Sequence, residues 1–174
     1  LLLADLGADV VMVEAPGRGD PMRSISQAIF DSVNRNKRSV TLDLKSESGL
    51  TAFYDLAEWA DVVIEGFRPG VAARLGIDYA TLSGINPKLI YCSISGYGQY
   101  GPYQYRTGHD LNYVAAAGSA SVSGDPDGPD EWNTSVPVAD IAGALFAANT
   151  ILSSLIWRTK SDQGQFLDVS LTDA

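Results

Sequence analysis

The feature that most constrains the fold is the alternation of short apolar runs with segments of helical periodicity. The runs are rich in β-branched residues and occupy residues 9–14, 39–44, 61–65, 88–94 and 165–170. Parallel strands need crossover connections, which are usually helices, so this alternation is typical of a parallel sheet covered on both faces. The sequence therefore predicts an α/β fold.

Helical patterns fill most of the intervals between the predicted strands. Ser46 offers an N-cap to a helix that ends at Trp59, and a longer helix runs from Pro137 to Lys160. The other predicted helices are residues 1–6, a short one carrying Arg74, residues 79–85, and one that starts at Thr107 or Gly108 and reaches Gly118.

The loops between these elements indicate where a ligand binds. Parallel sheets bind ligands at the carboxyl ends of their strands, which places residues 14–23, 66–74 and 95–101 on one common rim. Residues 95–103 are rich in glycine and tyrosine, and we interpret them as a surface loop that folds over a ligand. Residues 123–130 are predicted to form an acidic, exposed turn.

The length of 174 residues suffices for one domain with a hydrophobic core, and we predict a single α/β domain over residues 1–174. The first residues read as the end of a helix and both ends look truncated, so we expect a fragment; the resemblance described below implies that it is the N-proximal part of a longer subunit. Uninterrupted apolar runs are far shorter than the roughly 20 residues of a membrane span, so no membrane partner is expected. Cys92 is the single cysteine, which excludes an internal disulfide and a cysteine-built metal site. We expect a cytoplasmic protein without a bound metal.

The charge distribution excludes one class of partner and leaves room for another. The net charge of −9 argues against nucleic acid, which needs a dense basic face. Residues 1–88 hold nine basic and twelve acidic residues, whereas residues 89–174 hold three basic and nine acidic residues. The first half can therefore still bind a small anion in a local basic pocket.

Two residues form a candidate acid/base pair. His109 is the only histidine, and Asp140 lies at the start of the longest predicted helix. An imidazole titrates near neutral pH and can take and return a proton. Both residues also have ordinary explanations, since a lone histidine is usually structural and acids are favoured in a first helical turn. From the residues alone, both interpretations stay open.

Arg68 and Arg74 flank a glycine-proline turn at a predicted helix start, where guanidinium groups and backbone N–H groups can hold phosphates. Such loops also carry solvated arginines, so this is one of two interpretations. Gly96 and Gly98 follow a strand, but no third glycine arrives at the required spacing. A nicotinamide cofactor is therefore not expected.

Several motifs give the chain a resemblance to a known family. The segments that carry it are residues 3–11, 19–23, 34–39, 41–45, 68–70, 86–90, 95–98, 139–143 and 164–170. In this order they resemble the family III coenzyme A transferases and the α-methylacyl-CoA racemases that share their fold. The resemblance implies a Rossmann-like parallel sheet with helices on both faces, as a fragment of the large domain, and an interlocked homodimer in the full-length protein.

The resemblance also implies roles for individual residues. Asp140 corresponds to the catalytic aspartate, and Gly108-His109-Asp110 is similar to the Gly-His-Asp sequence of the racemases, in which the histidine is the partner base. The positions that match those lining the coenzyme A site are Leu42, Lys45, Phe67 and Arg74, and we add Arg68 from the turn analysis. Ala15 stands where many members carry a basic residue, which puts that nucleotide contact in doubt unless Arg18 or Arg23 replaces it.

The favoured hypothesis is a racemase that inverts the α-carbon of 2-methylacyl-CoA thioesters through His109 and Asp140. One alternative is a transferase that moves coenzyme A between carboxylic acids through an aspartyl thioester at Asp140. A second alternative is an acyl-CoA-binding fragment without turnover. In each case coenzyme A arrives as part of the substrate, and no permanently bound cofactor is expected.

Overall fold

A computed structural model describes residues 1–122 and 136–174, so the acidic turn predicted at 123–130 lies outside the described residues. The chain divides into two compact units, Leu1–Trp59 and Ala60–Ala174. Each unit contains its own parallel sheet. The expectation of a single domain, and of one rim shared by loops of both units, stays a prediction.

The first unit is built around a two-stranded parallel sheet. Strand β1 pairs with β2 in a register that runs from Val10 opposite Lys37 to Glu14 opposite Thr41. The elements of this unit are α1 (Leu2–Asp5), β1 (Val10–Glu14), α2 (Met22–Ile25), α3 (Gln27–Asn34), β2 (Lys37–Thr41) and α4 (Glu47–Trp59).

Three details of this unit differ from the sequence prediction, and the first is that the short helix α2 was not predicted. Strand β2 starts at Lys37, inside the basic segment, rather than at residue 39, and it ends at Thr41. The charges are tolerated there because Lys37 donates to Asn34 and Arg38 pairs with Asp9. Helix α3 was not predicted at all.

The sequence did contain a signal for the start of α3. The Ser26 hydroxyl caps the helix by accepting from the Ile29 N–H at 3.3 Å, a signal that was present in the sequence. By contrast, the predicted cap at Ser46 is confirmed, because its hydroxyl accepts from the Gly49 N–H at 3.1 Å.

The buried carboxylate of Glu14 connects β1 to β2 and to the segment that contains Asp20 and Arg23. Glu14, only 6% exposed at the end of β1, accepts two hydrogen bonds from Arg23 at 2.8 and 2.9 Å. It also accepts from the Ser39 hydroxyl and from the Asp20 N–H. These donors lower the pKa of Glu14 to about 2, with Arg23 the largest cause and Ser39 the next.

The second unit is built around a three-stranded parallel sheet in the order β3-β4-β5. Its elements are β3 (Val62–Glu65), α5 (Val71–Leu75), α6 (Tyr79–Ile85), β4 (Ile90–Ser95), α7 (Asp110–Ala116), a 3-10 turn (Ser119–Val122), α8 (Val138–Ser161) and β5 (Gln165–Ser170). Strands β3, β4 and β5 and helices α6 and α8 confirm the predicted elements to within two residues at each end.

The central strand β4 forms the core of this unit. Ile90, Tyr91 and Cys92 are fully or almost fully buried. The ring of Tyr91 packs between Tyr79 of α6 and Phe166 of β5, at centroid distances of 6.1 and 5.9 Å. Burial raises the pKa of the Cys92 thiol to about 12, so the thiol stays uncharged and unreactive at neutral pH.

Helix α8 packs against β4, β5 and α7. Its Gly143 lies against Leu171, which leaves no room for a Cβ atom, and its Arg158 ties the last turn to Asp61 at 2.6 Å. By length and composition alone, α8 is also apolar enough to cross a membrane, a test that the core helix of a soluble protein passes as well. The expectation of no membrane partner therefore stays a prediction.

Candidate active site

The loop after β4 positions the candidate site. The Gln99 N–H donates to the Asp168 carboxylate of β5 at 2.9 Å, and the Gln99 side chain donates to the Ser93 hydroxyl at 2.7 Å. Gly98 adopts a φ of 82°, a left-handed conformation that a residue with a side chain rarely takes. The loop is thus fixed to β4 and β5 at its base.

Tyr113 of α7 pins this loop to the start of α7. Its hydroxyl donates to the Gly108 carbonyl at 2.5 Å, and its ring lies so close to Gly96 and Gly108 that a Cβ atom at either would clash. Tyr97 meets the same ring edge-on at 5.2 Å. Burial is the main cause that raises the pKa of Tyr113, so the phenol stays protonated as a donor.

His109 is the residue immediately before α7. Its N–H donates to the Asn112 side chain at 2.9 Å, which fixes the backbone on which the imidazole stands. The residue itself is exposed. The predicted helix start at 107 or 108 is therefore correct to within three residues, and His109 occupies its N-cap.

Asp140 stands in the first turn of α8, beside α7. Its N–H donates to the Asp110 carboxylate at 3.0 Å, whereas no hydrogen bond reaches the Asp140 carboxylate itself from the described residues. Partial burial of the carboxyl group is the main cause that raises its pKa; the Asp110 charge raises it further and His109 lowers it. Thus His109, Asp110 and Asp140 share one electrostatic environment.

A cavity of about 410 Å³ opens next to this cluster. The lining comes from the turn after β3, the loop after β4, residues 104–109 and the first part of α7. Its described lining contains Arg68, Arg106 and His109 and no acidic residue. In a chain with a net charge of −9, a cavity whose charged lining residues, among those described, are all basic favours an anionic ligand.

The predicted coenzyme A residues are distributed unevenly. Phe67 and Arg68 line the cavity, whereas Arg74 is exposed in the last turn of α5 and does not. Leu42 and Lys45 belong to the unit Leu1–Trp59, where the Leu42 N–H extends the sheet by donating to the Glu14 carbonyl at 3.0 Å. The ligand roles of all five stay predictions.

Sequence reasoning missed three residues of the candidate site, Asp110, Tyr113 and Arg106. Asp110 follows His109 directly, and Tyr113 looks like an ordinary core residue of α7. Arg106 carried a signal that could have been used, since it is one of only three basic residues after position 88. In the described parts of the chain, no group of three or more histidine, cysteine or acidic residues is arranged to hold a metal.

Comparison with known sequences decides the family. The family described as CoA-transferase family III matches residues 1–174. The chain belongs to this family. It is also 40% identical to a succinate–glutarate CoA-transferase of Agrobacterium fabrum and 39% identical to the mouse succinyl-CoA:glutarate CoA-transferase, over 99% and 97% of its length.

Solved structures agree with this membership of the CoA-transferase family III. A CaiB/BaiF family protein from Brucella suis superposes with a TM-score of 0.92 at 40% identity, over 98% of this chain. A Mycobacterium tuberculosis protein gives a TM-score of 0.90 at 37% identity, over 99% of this chain. The α/β fold with parallel sheets is confirmed.

The comparisons also bear on length and on the branch of the family. The chain spans 46% and 40% of the two transferases and 48% of the two solved chains, so about half of each. The related enzymes of this family bear the names of CoA-transferases rather than racemases. These names favour the alternative transferase hypothesis over the racemase that the Gly-His-Asp sequence suggested.

Proposed function

We propose that this protein transfers coenzyme A between carboxylic acids, with Asp140 as the nucleophile. The observation that carries the proposal is the exposed Asp140 carboxylate, which accepts no hydrogen bond from the described residues and interacts with His109 of the cavity lining. The lone pairs of a carboxylate without such hydrogen bonds are available for nucleophilic attack. Membership of the CoA-transferase family III supports the same chemistry.

The reaction consists of four exchanges at carbonyl carbons. The Asp140 carboxylate attacks the thioester carbonyl, which forms a mixed anhydride and releases the coenzyme A thiolate. The thiolate attacks the Asp140 carbonyl, which gives an aspartyl thioester and frees the first acid. The acceptor carboxylate then attacks that thioester, and the thiolate is released again. Its attack on the acceptor's acyl carbon gives the new acyl-CoA and restores the Asp140 carboxylate.

The neighbours of Asp140 support these steps. Asp110 holds the backbone at the first turn of α8, which fixes the direction of the nucleophile. A protonated His109 favours the carboxylate form of Asp140, as the direction of its effect on the pKa shows. We assign Phe67 and Arg68, which line the cavity, to part of the coenzyme A moiety, and Leu42, Lys45 and Arg74 to the same ligand. Coenzyme A enters with the substrate, so no permanent cofactor is required.

The test is to trap the aspartyl thioester. The full chain is incubated with an acyl-CoA and treated with borohydride, which reduces a thioester to an alcohol. Peptide mass spectrometry should find the alcohol at Asp140, and kinetics with a second acid should be ping-pong. A modification at another residue, or sequential kinetics without any trapped species, would contradict the assignment.

A second function has one observation in its favour. His109 and Asp140 influence each other electrostatically, as a pair of bases on either side of an α-carbon requires. In that case the protein would exchange the α-proton of a 2-methylacyl-CoA in D₂O without any free acid. His109→Gln should abolish this exchange in at least one direction, because one of the two bases is lost. Deuterium uptake without transfer would favour the racemase, transfer without uptake the transferase, and coenzyme A binding with neither a non-catalytic role.

We also propose that the protein acts in the cytoplasm as an interlocked homodimer. Ile141, Leu145 and Phe146 of α8 are about half exposed, so this helix has an apolar face available for a partner. Light scattering should give the mass of a dimer, and the protein should not float with lipid vesicles. A monomer, or flotation, would contradict the proposal.

A further inference from the structure

Three buried side-chain oxygens without a hydrogen bond belong to the carboxyl end of the sheet in the second unit. They are Oγ of Ser95, Oδ1 of Asp168 and Oγ of Ser170, and none of them has a hydrogen-bond partner among the described residues. Ser95 and Ser170 are each only 9% exposed. Because a buried polar group without a partner costs free energy, a group of three such atoms indicates that they bind something other than the chain itself.

The register of the sheet places these oxygens on one face. Ser95 of β4 is opposite Ser170 of β5, and Asp168 precedes Ser170 by two residues. Side chains two residues apart on a strand point to the same face, and neighbouring strands are about 4.8 Å apart. Gly98 of the loop after β4 lies next to the set, since a Cβ atom there would be 3.8 Å from the Ser170 Cβ and 4.0 Å from Asp168 Oδ1. The three oxygens therefore border one small space between the sheet and this loop.

The carboxylate of Asp168 gives this space a negative charge. Its Oδ2 accepts from the Gln99 N–H, whereas Oδ1 is buried and accepts from no donor. Of the acids that the structure describes, only Asp168 has such an oxygen.

No basic residue balances this charge. Asp168 forms no ion pair within the described residues, and residues 123–135 contain no lysine, arginine or histidine. Glu65 of β3 adds a second acid on the same face, because Glu65 and Asp168 are opposite Ser93 of β4 from either side. Buried charges in proteins are paired or bind metal ions, so a cation matches this space better than an anion or a neutral molecule.

We propose that Ser95, Asp168 and Ser170 bind a monovalent metal cation, sodium or potassium, between the sheet and the loop after β4. The donor atoms are all oxygens, which suit a hard cation, and the set contains no sulfur or imidazole for a transition metal. One carboxylate balances one positive charge, whereas calcium sites usually combine several carboxylates. With a single acid, the set differs from the groups of three or more histidine, cysteine or acidic residues that the described parts of the chain lack. The proposal replaces the expectation of a protein without a bound metal.

The cation has a structural role beside the ligand cavity. The loop after β4 is held to the sheet by the two hydrogen bonds of Gln99, and the cation adds a third connection between them. Ser95 belongs to the cavity lining, so the loop that the cation stabilises also borders the cavity. This role does not depend on which reaction the protein catalyses.

The experiment measures the thermal unfolding midpoint of the full chain in potassium chloride, sodium chloride and choline chloride at equal ionic strength. A cation that binds only the folded state raises the midpoint with the logarithm of its concentration. The midpoint should therefore be a few degrees higher in one of the metal salts than in choline chloride, whose cation is too large for a buried space. Equal midpoints in all three salts would overturn the proposal, and so would stabilisation by calcium or magnesium chloride alone.

Three variants show where the salt acts. Asp168→Asn keeps an oxygen for the Gln99 N–H but removes the charge, so the difference between the salts should disappear. Ser170→Ala removes one ligand and should raise the salt concentration needed for the same shift by roughly 10-fold, as for the loss of one polar contact to a charged group. Asp173→Asn is the matched control, because it removes the same charge from an exposed side chain and should keep the full difference. Equal losses in Asp168→Asn and Asp173→Asn would show that the salts act only by screening.

A second measurement uses wild type alone, so it does not depend on whether a variant folds. Crystals of the full chain are soaked in rubidium chloride, and the anomalous scattering of rubidium locates the bound ion. A peak in contact with Asp168 Oδ1 and with the hydroxyls of Ser95 and Ser170 would support the proposal. An ordered water at that position without an anomalous signal, or a peak only at other places on the surface, would overturn it.

Discussion

Glu14 and Asp140 are carboxylates at the ends of regular elements, Glu14 as the last residue of β1 and Asp140 in the first turn of α8, yet their surroundings have opposite effects. Glu14 is buried and accepts four hydrogen bonds, two of them from Arg23, so its pKa falls to about 2. Asp140 is exposed, accepts none from the described residues, and has a raised pKa. The charged neighbours that act on it are Asp110, which raises the pKa, and His109, which lowers it.

The difference shows how a structural charge can be distinguished from a reactive one. A carboxylate whose lone pairs all accept hydrogen bonds is a poor nucleophile. Its hydrogen bonds instead stabilise the packing of neighbouring elements. A carboxylate that is held through its backbone and accepts no hydrogen bond can react with an incoming group. The four predictions below test this contrast, from the largest expected effect to the smallest.

The strongest test is Asp140→Asn, which keeps the shape and removes the nucleophile. Transfer should fall by roughly 10³-fold or more, as for nucleophile removal in other enzymes. The thermal unfolding midpoint should hardly change, because the Asp140 carboxylate accepts no hydrogen bond from the described residues. Steady-state rates and calorimetry measure both. The matched control is Glu58→Gln, an exposed acid of α4, which should leave the rate unchanged; activity retained by Asp140→Asn would remove the contrast.

The corresponding change in the first unit is Arg23→Met, which leaves Glu14 buried without its cation. The free energy of unfolding, measured by denaturant titration, should fall by clearly more than for an exposed ion pair, because Glu14 stays buried while it loses two hydrogen bonds from a charged donor. Arg38→Met breaks an exposed pair with Asp9 and should cost about 0 to 1 kcal/mol. Equal losses of unfolding free energy in the two variants would show that the hydrogen bonds from Arg23 to Glu14 contribute no more than an exposed ion pair.

This prediction also has a pH dependence with a definite sign. The pKa of Glu14 is lowered in the folded state to about 2, from 4.5 for a free glutamate. The stability it contributes is therefore complete above about pH 4.5 and is lost as the pH falls toward 2. The difference between wild type and Arg23→Met should narrow over that range and stay constant near neutrality.

A smaller effect is expected for Tyr113→Phe, which removes the bond to the Gly108 carbonyl. The start of α7 and His109 should become less well fixed, so transfer should fall by about 10-fold and stability by about 1 kcal/mol. Tyr54→Phe, a tyrosine of α4 in the other unit, is the control for the rate. If Tyr113→Phe lowers stability without affecting the rate, the tyrosine only supports the fold.

The finest test uses the two charges beside Asp140. Asp110→Asn keeps an oxygen for the Asp140 N–H but removes a charge that raises the pKa of Asp140, so the acid limb of kcat/KM should move to lower pH. His109→Gln removes a cation that lowers this pKa, so the limb should move to higher pH. Both shifts should be small, because each neighbour is only one of several influences on the pKa of Asp140. Shifts in the same direction would show that another group titrates.

The fold was largely predictable because its signals are local. The apolar runs of β3, β4 and β5 and the spacing of α4, α6 and α8 correspond to elements in the structure. The start of β2 was misplaced because Lys37 and Arg38 look like loop residues until Asn34 and Asp9 are seen beside them. Helix α3 was missed, although Ser26 offered a cap.

The sequence by itself determined the alternating α/β order and the family resemblance. It also identified His109 and Asp140 as candidate site residues. Tertiary structure decided which charges stay unpaired. The starts of α7 and α8 are about 30 residues apart in the chain, and only packing of one helix against the other brings Asp110 to the backbone of Asp140. In the same way, Arg106 lies over the ring of Tyr103, which packs edge-on against Tyr97, and Tyr97 packs edge-on against Tyr113. Side-chain pairing depends on distances between remote segments, which no local pattern of residues encodes.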